Sequence, residues 1–213
     1  FPLRIVCLAL VILSWPGLAA AQPGALGGSV RDAATHAPLQ GIEIQLDGTG
    51  GSWSMVTHPD GNFGVQVPPG TYYAYTRNSV GYTNEIHGDI LCAGPCQSYA
   101  ATTRGTPIAV NAGYLTLVDF TLDRGGRVTG AVTAAATSAP IPGVTVNLVG
   151  VSTLGPFDAG SAVTDASGVY LIEGLPAGRY HAYTRNTLGY VDEFHDNVPC
   201  LGWCSENEFE GTA

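Results

Sequence analysis

The sequence predicts an all-β protein made of two tandem antiparallel β-sandwich modules, the second of them incomplete at its C-terminal end. Three observations predict this fold class: an internal repeat of about 100 residues, short segments in which apolar and polar residues alternate, and turn-forming residues between those segments. Charged residues make up only 12% of the chain, which contains 29 glycines and 14 prolines. This composition favours short strands and turns over amphipathic helices, so almost no helix is expected after the N-terminal segment.

The N-terminal segment, residues 1–21, has the pattern of a secretory signal peptide. Arg4 precedes an apolar run, and the small residues Ala19 to Ala21 end the segment as signal peptidase requires. The run is too short for a membrane-spanning helix, and no later segment approaches the roughly 20 apolar residues that a span needs. A retained membrane anchor is the alternative. We expect a secreted mature chain, extracellular, on the cell surface or in the periplasm, with no transmembrane segment after cleavage.

The mature chain divides into a first module, residues 22–125, and a second, residues 126–213. Without Arg4 it carries 7 basic against 17 acidic side chains, a net charge near −10. Nucleic acid is therefore not expected as a partner, because phosphate binding needs clustered Lys and Arg. All eight basic residues of the full chain are Arg, which excludes Schiff-base chemistry and a Lys general base.

The internal repeat is clearest in the motif Ala-Tyr-Thr-Arg-Asn, which occupies residues 74–78 and again residues 182–186. Other residues recur at the same offset of 108, namely Glu85, His87, Cys92 and Cys96 as Glu193, His195, Cys200 and Cys204. Upstream the offset is 102, so the second module carries about six extra residues, near residues 151–160. We expect them in a longer hairpin loop, because loops absorb length at low cost.

Alternating residues mark the strands in each module. In residues 41–46, Ile42, Ile44 and Leu46 share one side of a strand, and residues 143–148 repeat the pattern. Further strands of the first module are expected at residues 28–31, 52–57, 62–67, 71–76, 108–110 and 116–122. Gly, Pro and Asn turns separate them, and seven strands in about 100 residues indicate a sandwich. The sequence stops soon after Cys204, so the second module is expected to lack a counterpart of residues 116–122.

Residues 163–180, VTDASGVYLIEGLPAGRY, resemble the signature of carboxypeptidase regulatory-like domains, which are relatives of transthyretin-like and Cna protein B-type sandwiches. Residues 130–132 and 142–146 fit the same pattern, as do residues 57–63 and 67–72 of the first module. The resemblance implies a prealbumin-like β-sandwich used as an accessory or spacer module. Its crosslinking relatives need a Lys that this chain lacks, so an isopeptide bond is not expected. The fold alone does not assign a function.

Four cysteines remain in the mature chain, in two repeat-related pairs with three residues between the partners. In an exported chain this spacing predicts two local disulfides, Cys92 with Cys96 and Cys200 with Cys204. Closing so short a loop stabilises a protein by only about 2 kcal/mol on the chain-entropy estimate. Each bridge is therefore expected to shape its own loop.

The alternative for the cysteine pairs is a zinc site, because Glu85 and His87 precede the first pair and Glu193 and His195 precede the second. The oxidising compartment argues against it, as does the absence of the Cys-x2-Cys spacing of well-known zinc loops. Hard-ion binding through Asp89, or through the acids near Asp196, is equally weak. No metal and no cofactor are expected.

No catalytic constellation is visible in the sequence. His36, His58 and His181 lie in different contexts, and there is no Gly-x-Ser-x-Gly elbow. The chain is therefore expected not to be an enzyme.

An outward row of aromatic and Arg side chains is the candidate binding surface. If Tyr72 and Ala74 face the core, then Tyr73, Tyr75 and Arg77 share the other face of their strand. The counterparts in the second module are His181, Tyr183 and Arg185. Such residues stack on sugars or contact protein partners, so a polysaccharide or a cell-surface protein is the candidate ligand. Cross-strand packing on an exposed sheet face is the simpler interpretation.

Two functions remain open. The first is a non-enzymatic, secreted or cell-surface protein that serves as structural spacer, adhesion or binding module, indicated by the tandem repeat. The second is an accessory region of a larger exported hydrolase, a peptidase or glycosidase, whose catalytic domain lies beyond residue 213. Further copies of the repeat in the full-length chain would favour the first function, and a catalytic domain the second.

Overall fold

A computed structural model describes residues 22–92, 96–152, 155–200 and 204. These residues form an all-β fold of short strands with one brief helix, which confirms the predicted fold class. The predicted signal peptide and Trp203 lie outside the described residues. Within the described part of the chain, no helix is long and apolar enough to cross a membrane.

The first module, by which we mean the elements from Gly24 to Leu122, contains ten strands and one helix. In chain order they are β1 (Gly24–Asp32), β2 (Glu43–Gly48), β3 (Gly51–Val56), β4 (Asn62–Val67), β5 (Gly70–Arg77), β6 (Glu85–Ile86), β7 (Ile90–Leu91), α1 (Ser98–Arg104), β8 (Ile108–Val110), β9 (Leu115–Leu117) and β10 (Phe120–Leu122). The sequence predicted seven of these segments and missed β6, β7, α1 and the break between β9 and β10. A two-residue strand is too short to show alternation. The seven-residue helix lacks the acidic residues in its first turn that would have indicated a helix N-terminus.

Two sheets face each other in the first module. One places β1 between β4 on one edge and β9 and β10 on the other, and the second has the order β3-β2-β5-β6-β7, with β8 also paired to β5. The strand pairs are antiparallel, as predicted, except that β9 and β10 run parallel to β1. This edge departs from the prediction because the turn after β8 returns the chain to the first sheet in the direction of β1.

The core of the first module lies between these sheets. Ile42, Ile44 and Leu46 are completely buried, as their alternation predicts, and they share one cluster with Leu26 and Val30. The intervening Glu43 points away from this core, where its carboxylate accepts hydrogen bonds from neighbouring polar side chains. Period-2 alternation on β2 therefore identified the buried face correctly.

The second module, by which we mean the elements from Gly126 onward, repeats this plan with fewer strands. They are β11 (Gly126–Ala131), β12 (Thr145–Ser152), β13 (Gly155–Val163), β14 (Val169–Leu175), β15 (Arg179–Arg185), β16 (Glu193–Phe194) and β17 (Val198–Pro199). One sheet contains β11 and β14, and the other has the order β13-β12-β15-β16-β17. Among the described residues, nothing corresponds to β8, β9 and β10 of the first module.

The extra residues of the second module lengthen a hairpin rather than its loop. Strands β12 and β13 have 8 and 9 residues, against 6 each for their counterparts β2 and β3. A bulge between Leu148 and Val149 absorbs the mismatch in pairing. The expectation of a longer loop was wrong, because backbone pairing can extend two strands as readily as a loop can accept residues.

Candidate functional site

Both predicted disulfides are formed. The Cα atoms of Cys92 and Cys96 are 5.4 Å apart, and those of Cys200 and Cys204 are 5.2 Å apart. These four cysteines are therefore paired with one another and are not thiolate ligands. No group of three or more His, Cys, Asp or Glu side chains that could hold a metal occurs among the residues described.

The repeated Arg residues fasten the disulfide loops to the sheets. Arg77, the last residue of β5, donates from Nε to the carbonyl oxygen of Cys96 at 3.4 Å. Arg185, the last residue of β15, donates from Nη2 to the carbonyl oxygen of Cys204 at 3.3 Å. The sequence placed these guanidinium groups on a contact surface, and the structure gives each of them a contact within its own module.

The aromatic row of the first module lies beneath the disulfide loop and the helix. Tyr75 is only 5% exposed and packs in a second cluster with Ile86, Cys92, Cys96 and Ala101, while Tyr73 lies at its margin. Burial, with a smaller contribution from the carboxylate of Asp47, raises the pKa of Tyr75. The row does face away from the main core, but in this module it is packed under the loop and helix.

The counterpart row in the second module is less deeply covered. His181 and Tyr183 are half-buried, and the Arg185 guanidinium lies 5.7 Å above the Tyr183 ring. The Tyr183 ring also contacts Phe194, with 6.2 Å between centroids. These contacts form a cation–π and aromatic stack along the sheet. Whether the row binds a ligand in either module stays a prediction.

Glu85 and His87, the residues of the zinc alternative, have different neighbours. Glu85 is buried, and its Oε2 atom has no hydrogen-bond partner among the described residues. Burial, reinforced by the negative charges of Asp89 and Asp123, raises its pKa to about 7. The ring of His87 packs edge-on against Phe120, 6.1 Å between centroids, and burial lowers its pKa. Both side chains therefore pack against other residues of the first module.

The junction between the modules is organised around Tyr82, a residue of the repeated Gly-Tyr step. Its side chain is buried, and its hydroxyl donates to Oδ2 of Asp32 at 2.7 Å. Oδ1 of Asp32 accepts from the backbone N–H groups of Ala34 and Thr35. These hydrogen bonds, that of Tyr82 first, lower the pKa of Asp32 to about 2. Arg124, from the linker, places its guanidinium 4.8 Å from the centre of the Tyr82 ring.

Main-chain hydrogen bonds fix the linker onto the same loop. The N–H of Thr83 donates to the carbonyl oxygen of Asp123 at 2.9 Å, and the N–H of Gly125 donates to that of Gly81, also at 2.9 Å. Tyr82 and Arg124 form a β-bridge between these bonds. The linker is therefore paired like a short strand and is not a free tether.

Two glycines, Gly125 in the linker and Gly174 in the second module, permit this close approach. Gly174, at the end of β14, has a φ of +76°, and a Cβ there would lie 2.8 Å from the carbonyl oxygen of Tyr82. A Cβ on Gly125 would overlap the backbone of Gly174. The pairing of β11 with β14 shifts register at this point, between Gly126 and Arg127, because Gly174 forms a bulge.

The loop that carries Tyr82 has a counterpart with the same internal geometry in the second module. Asn78 Nδ2 donates to the carbonyl of Tyr82 at 3.1 Å and to Asn84 Oδ1 at 2.7 Å. Asn186 Nδ2 makes the same two bonds, to the carbonyl of Tyr190 and to Asp192 Oδ1, at the same distances. Tyr190 is nevertheless 49% exposed, whereas Tyr82 is 5% exposed.

Sequence reasoning missed this junction. The Gly-Tyr step was recognised as a repeat, but the partners of Tyr82 come from Asp32 and Arg124, which are 50 and 42 residues away in the chain. The repeat did carry one signal: the position equivalent to Asp32, at the upstream offset, is Ala134. A residue that one copy has and the other lacks points to a contact made in that copy alone.

Comparison with solved structures gives several remote likenesses. A streptococcal ancillary pilin matches at 14% identity over 80% of this chain and 56% of its own, with a TM-score of 0.39. The Bacillus anthracis TIE protein matches at 15% identity over 84% and 32%, with a TM-score of 0.37. The shaft pilin SpaA from Lactobacillus rhamnosus GG matches at 12% identity over 85% and 95%, with a TM-score of 0.35. The chain spans about half or less of the length of the first two proteins.

A family model matches within the second module. The model is that of the carboxypeptidase regulatory-like domain, and it covers residues 127–192. No curated protein matches the chain. The match includes the signature at residues 163–180 on which the resemblance was first based, and it confirms that this chain resembles the carboxypeptidase regulatory-like domains.

Proposed function

We propose that this protein is an exported, non-catalytic structural protein whose paired β-sandwich modules act as a stiff spacer on a cell surface or in a secreted assembly. The observation that carries the proposal is the junction. A spacer must transmit position and force from one module to the next, and this requires that the two modules hold a fixed relative orientation.

The contacts at the junction fix the linker on the first module and bring Gly174 of the second module close to it. Two main-chain hydrogen bonds hold the linker against the Tyr82 loop. The Tyr82 side chain is inserted between Asp32 on one side and Arg124 on the other. A Cβ on Gly174 would lie only 2.8 Å from the carbonyl oxygen of Tyr82, so the two main chains approach closely here, and a rotation of the second module would disturb this approach.

Two further features suit an exposed location. Disulfides persist in oxidising compartments, and both pairs are closed here. The family resemblance supports the same interpretation, since such modules serve as accessory or spacer units.

An accessory role beside an exported hydrolase is the competing function. It would use the same rigid modules to hold a catalytic domain at a distance from its anchor. A catalytic domain encoded in the same reading frame would favour this second function, and further copies of the repeat would favour the first.

Stiffness is tested by a matched pair of glycine substitutions. Gly174 and Gly143 have similar backbone angles, with φ values of +76° and +80°, but a Cβ on Gly174 would meet the first module, whereas a Cβ on Gly143 would meet no atom within 4 Å. Gly174→Ala should let the modules move independently, whereas Gly143→Ala carries the same backbone strain in open space. The measurement is 15N relaxation of the chain from residue 22, read separately for the two modules.

The parent and Gly143→Ala are expected to show one rotational correlation time for both modules, and Gly174→Ala two shorter ones. Independent tumbling in the parent would contradict the spacer function. Common tumbling in Gly174→Ala would show that the junction does not depend on this contact.

A further inference from the structure

The strand β3 lies at one edge of the larger sheet of the first module. The sheet order β3-β2-β5-β6-β7 leaves β3 paired with β2 and with no other strand among the residues that the structure describes. The strands before and after it in the chain do not cover its outer side, because β2 lies on its inner side and β4 belongs to the facing sheet. A row of main-chain groups is therefore exposed along this edge.

Alternate main-chain groups of β3 point away from the module. The N–H of Thr57, just after β3, donates to the carbonyl oxygen of Ile42, just before β2, at 2.9 Å. The main-chain groups of an antiparallel strand turn alternately to its two sides, so every second residue counted back from Thr57 faces β2. The residues between them, Ser52, Ser54 and Val56, direct their N–H and C=O groups outward. No residue in the described part of the chain bonds to these groups.

The side chains of β3 leave this edge open. The Ser54 hydroxyl donates to Oε1 of Glu43 on β2 at 2.6 Å, so it is turned towards its own sheet. β3 contains no charged residue and no proline, which are two of the features that commonly protect an exposed edge. A further strand therefore meets neither a charge nor a missing donor on β3.

The counterpart strand β13 in the second module is protected in both of these ways. It contains Pro156, which has no N–H, and the charged Asp158. Its pairing with β12 also shifts register between Leu148 and Val149, and such a bulge bends the edge away from a neighbour. The two modules share the strand plan but differ in the protection of this edge.

The core-facing side chains of β3 keep exposed surface at the same edge. Trp53 and Met55 are half-buried and pack against the main core of the first module. The Trp53 ring meets Tyr72 edge-on, with 5.5 Å between centroids. A strand added beside β3 would place its own side chains next to Trp53 and Met55 and remove more apolar surface from water.

Charge and symmetry favour a second copy of β3 as this added strand. The mature chain is acidic, so two copies approach closely only where few charges face each other, and β3 carries none. Turned by a two-fold axis at Ser54, β3 runs antiparallel to its copy. Ser52 then lies opposite Val56, so the outward N–H and C=O groups of the two strands match. Trp53 lies opposite Met55, which is a favourable aromatic–thioether contact.

We propose that β3 is a docking edge for β3 of a second copy of this chain, so that two chains join through one continuous antiparallel sheet. Each strand uses the edge of the other, and the pairing therefore closes as a dimer and does not extend into a filament. Strand β13 of a second copy does not fit this edge, because Pro156 and Asp158 interrupt the pairing. This inference adds a partner and does not depend on the spacer function.

The test measures the mass of the chain from residue 22 by sedimentation equilibrium over a range of concentrations. The parent is expected to form a concentration-dependent dimer. Ser54→Pro should weaken dimerisation by about tenfold or more, because it removes an outward donor from each copy and no bond to β2. Ser161→Pro is the matched control and should dimerise as the parent does. Ser161 holds the equivalent exposed position on β13, opposite Asn147 as Ser54 is opposite Gln45.

Two further measurements keep the proposal testable if proline disturbs the fold. Ser54→Lys retains the N–H but places two ammonium groups across the two-fold axis, so it should also weaken dimerisation. Hydrogen exchange of the amides of Ser52, Ser54 and Val56 should be slower in the dimer than in the monomer.

A parent chain that stays monomeric up to about 1 mM would overturn the proposal. A dimer in which the outward amides of β3 exchange as fast as in the monomer would also overturn it, because the contact would then lie elsewhere. Equal weakening by Ser54→Pro and Ser161→Pro would have the same meaning.

Discussion

The two modules of this chain share a sheet plan, a disulfide loop and an Asn-centred turn, yet they bury these features to different degrees. In the first module Tyr75, Ile86 and Tyr82 are all at most 5% exposed. Their counterparts Tyr183 and Phe194 are half-buried, and Tyr190 is 49% exposed. The two copies therefore share the same turn geometry although the second copy is less buried. Hydrogen bonds within a turn involve only nearby residues, whereas burial depends on which other elements pack over the turn.

The largest difference between the modules is expected in their cores. Leu26→Ala should lower the free energy of unfolding of the first module by about 3 kcal/mol, since it removes a completely buried side chain from a closed core. Val128→Ala, at the equivalent half-buried position, should cost about 1 kcal/mol or less in the second module. In a background that carries Trp203→Phe, urea unfolding followed by Trp53 fluorescence reports the first module, and circular dichroism reports both. Equal losses would mean that the second core is as closed as the first.

Removing the hydroxyl should destabilise the protein at Tyr82 but not at its counterpart Tyr190, because only Tyr82 bonds to Asp32. Tyr82→Phe removes the hydrogen bond to Asp32 and should cost about 1 kcal/mol, the usual net contribution of one hydrogen bond. Tyr190→Phe is the matched control and should change little, because the position of Asp32 is taken by Ala134 in the second module. Thermal unfolding of both variants beside the parent measures this difference.

The effect of Tyr82→Phe should also depend on pH, with a sign set by Asp32. Its pKa is lowered in the fold from 3.8 to about 2, so its ionised form is favoured by folding. The resulting stability is fully present above the unfolded pKa and is lost as the pH falls through the folded pKa. The difference between parent and Tyr82→Phe should therefore be constant above about pH 4 and shrink towards pH 2. A difference that grows on acidification would contradict the assignment of Asp32 as acceptor.

The smallest of these effects is expected at Glu85, where burial raises the pKa from 4.5 to about 7. The fold favours the neutral acid, so ionisation destabilises the first module progressively as the pH rises from 4.5 through 7. Glu85→Gln should leave stability unchanged near pH 4 and raise it at pH 8, by on the order of 1 kcal/mol. Glu193→Gln, at the half-buried counterpart, is the control and should give a smaller change. A stabilisation that is the same at pH 4 and pH 8 would show that charge is not its cause.

Much of the fold followed from local patterns in the sequence. Alternation in residues 41–46 and 143–148 identified the buried faces of β2 and β12, since side chains on a strand point to opposite sides in turn. The cysteine spacing predicted both disulfides, because partners four positions apart can approach only through a local turn. The parallel edge formed by β9 and β10 was missed, because alternation reports which face is buried but not which strand lies alongside.

The candidate site followed from the sequence only in part. The repeated row of Tyr73, Tyr75 and Arg77 was assigned to the face away from the core, and it lies there. Its cover could not be anticipated, because it comes from α1 and the two-residue strand β6, which have no periodic signal of their own. The same limit explains why Arg77 was assigned to an open surface when its guanidinium holds the disulfide loop.

The sequence by itself determined the fold class, the repeat, the buried face of the long strands and the pairing of the cysteines. Each of these rests on residues within a few positions of one another, where backbone geometry leaves few choices. Tertiary structure alone decided that Tyr82 meets Asp32 and Arg124, and that Gly174 lies close to the backbone of Tyr82. These contacts join residues about 40 to 90 positions apart, and such contacts depend on how sheets are closed and stacked rather than on local preference.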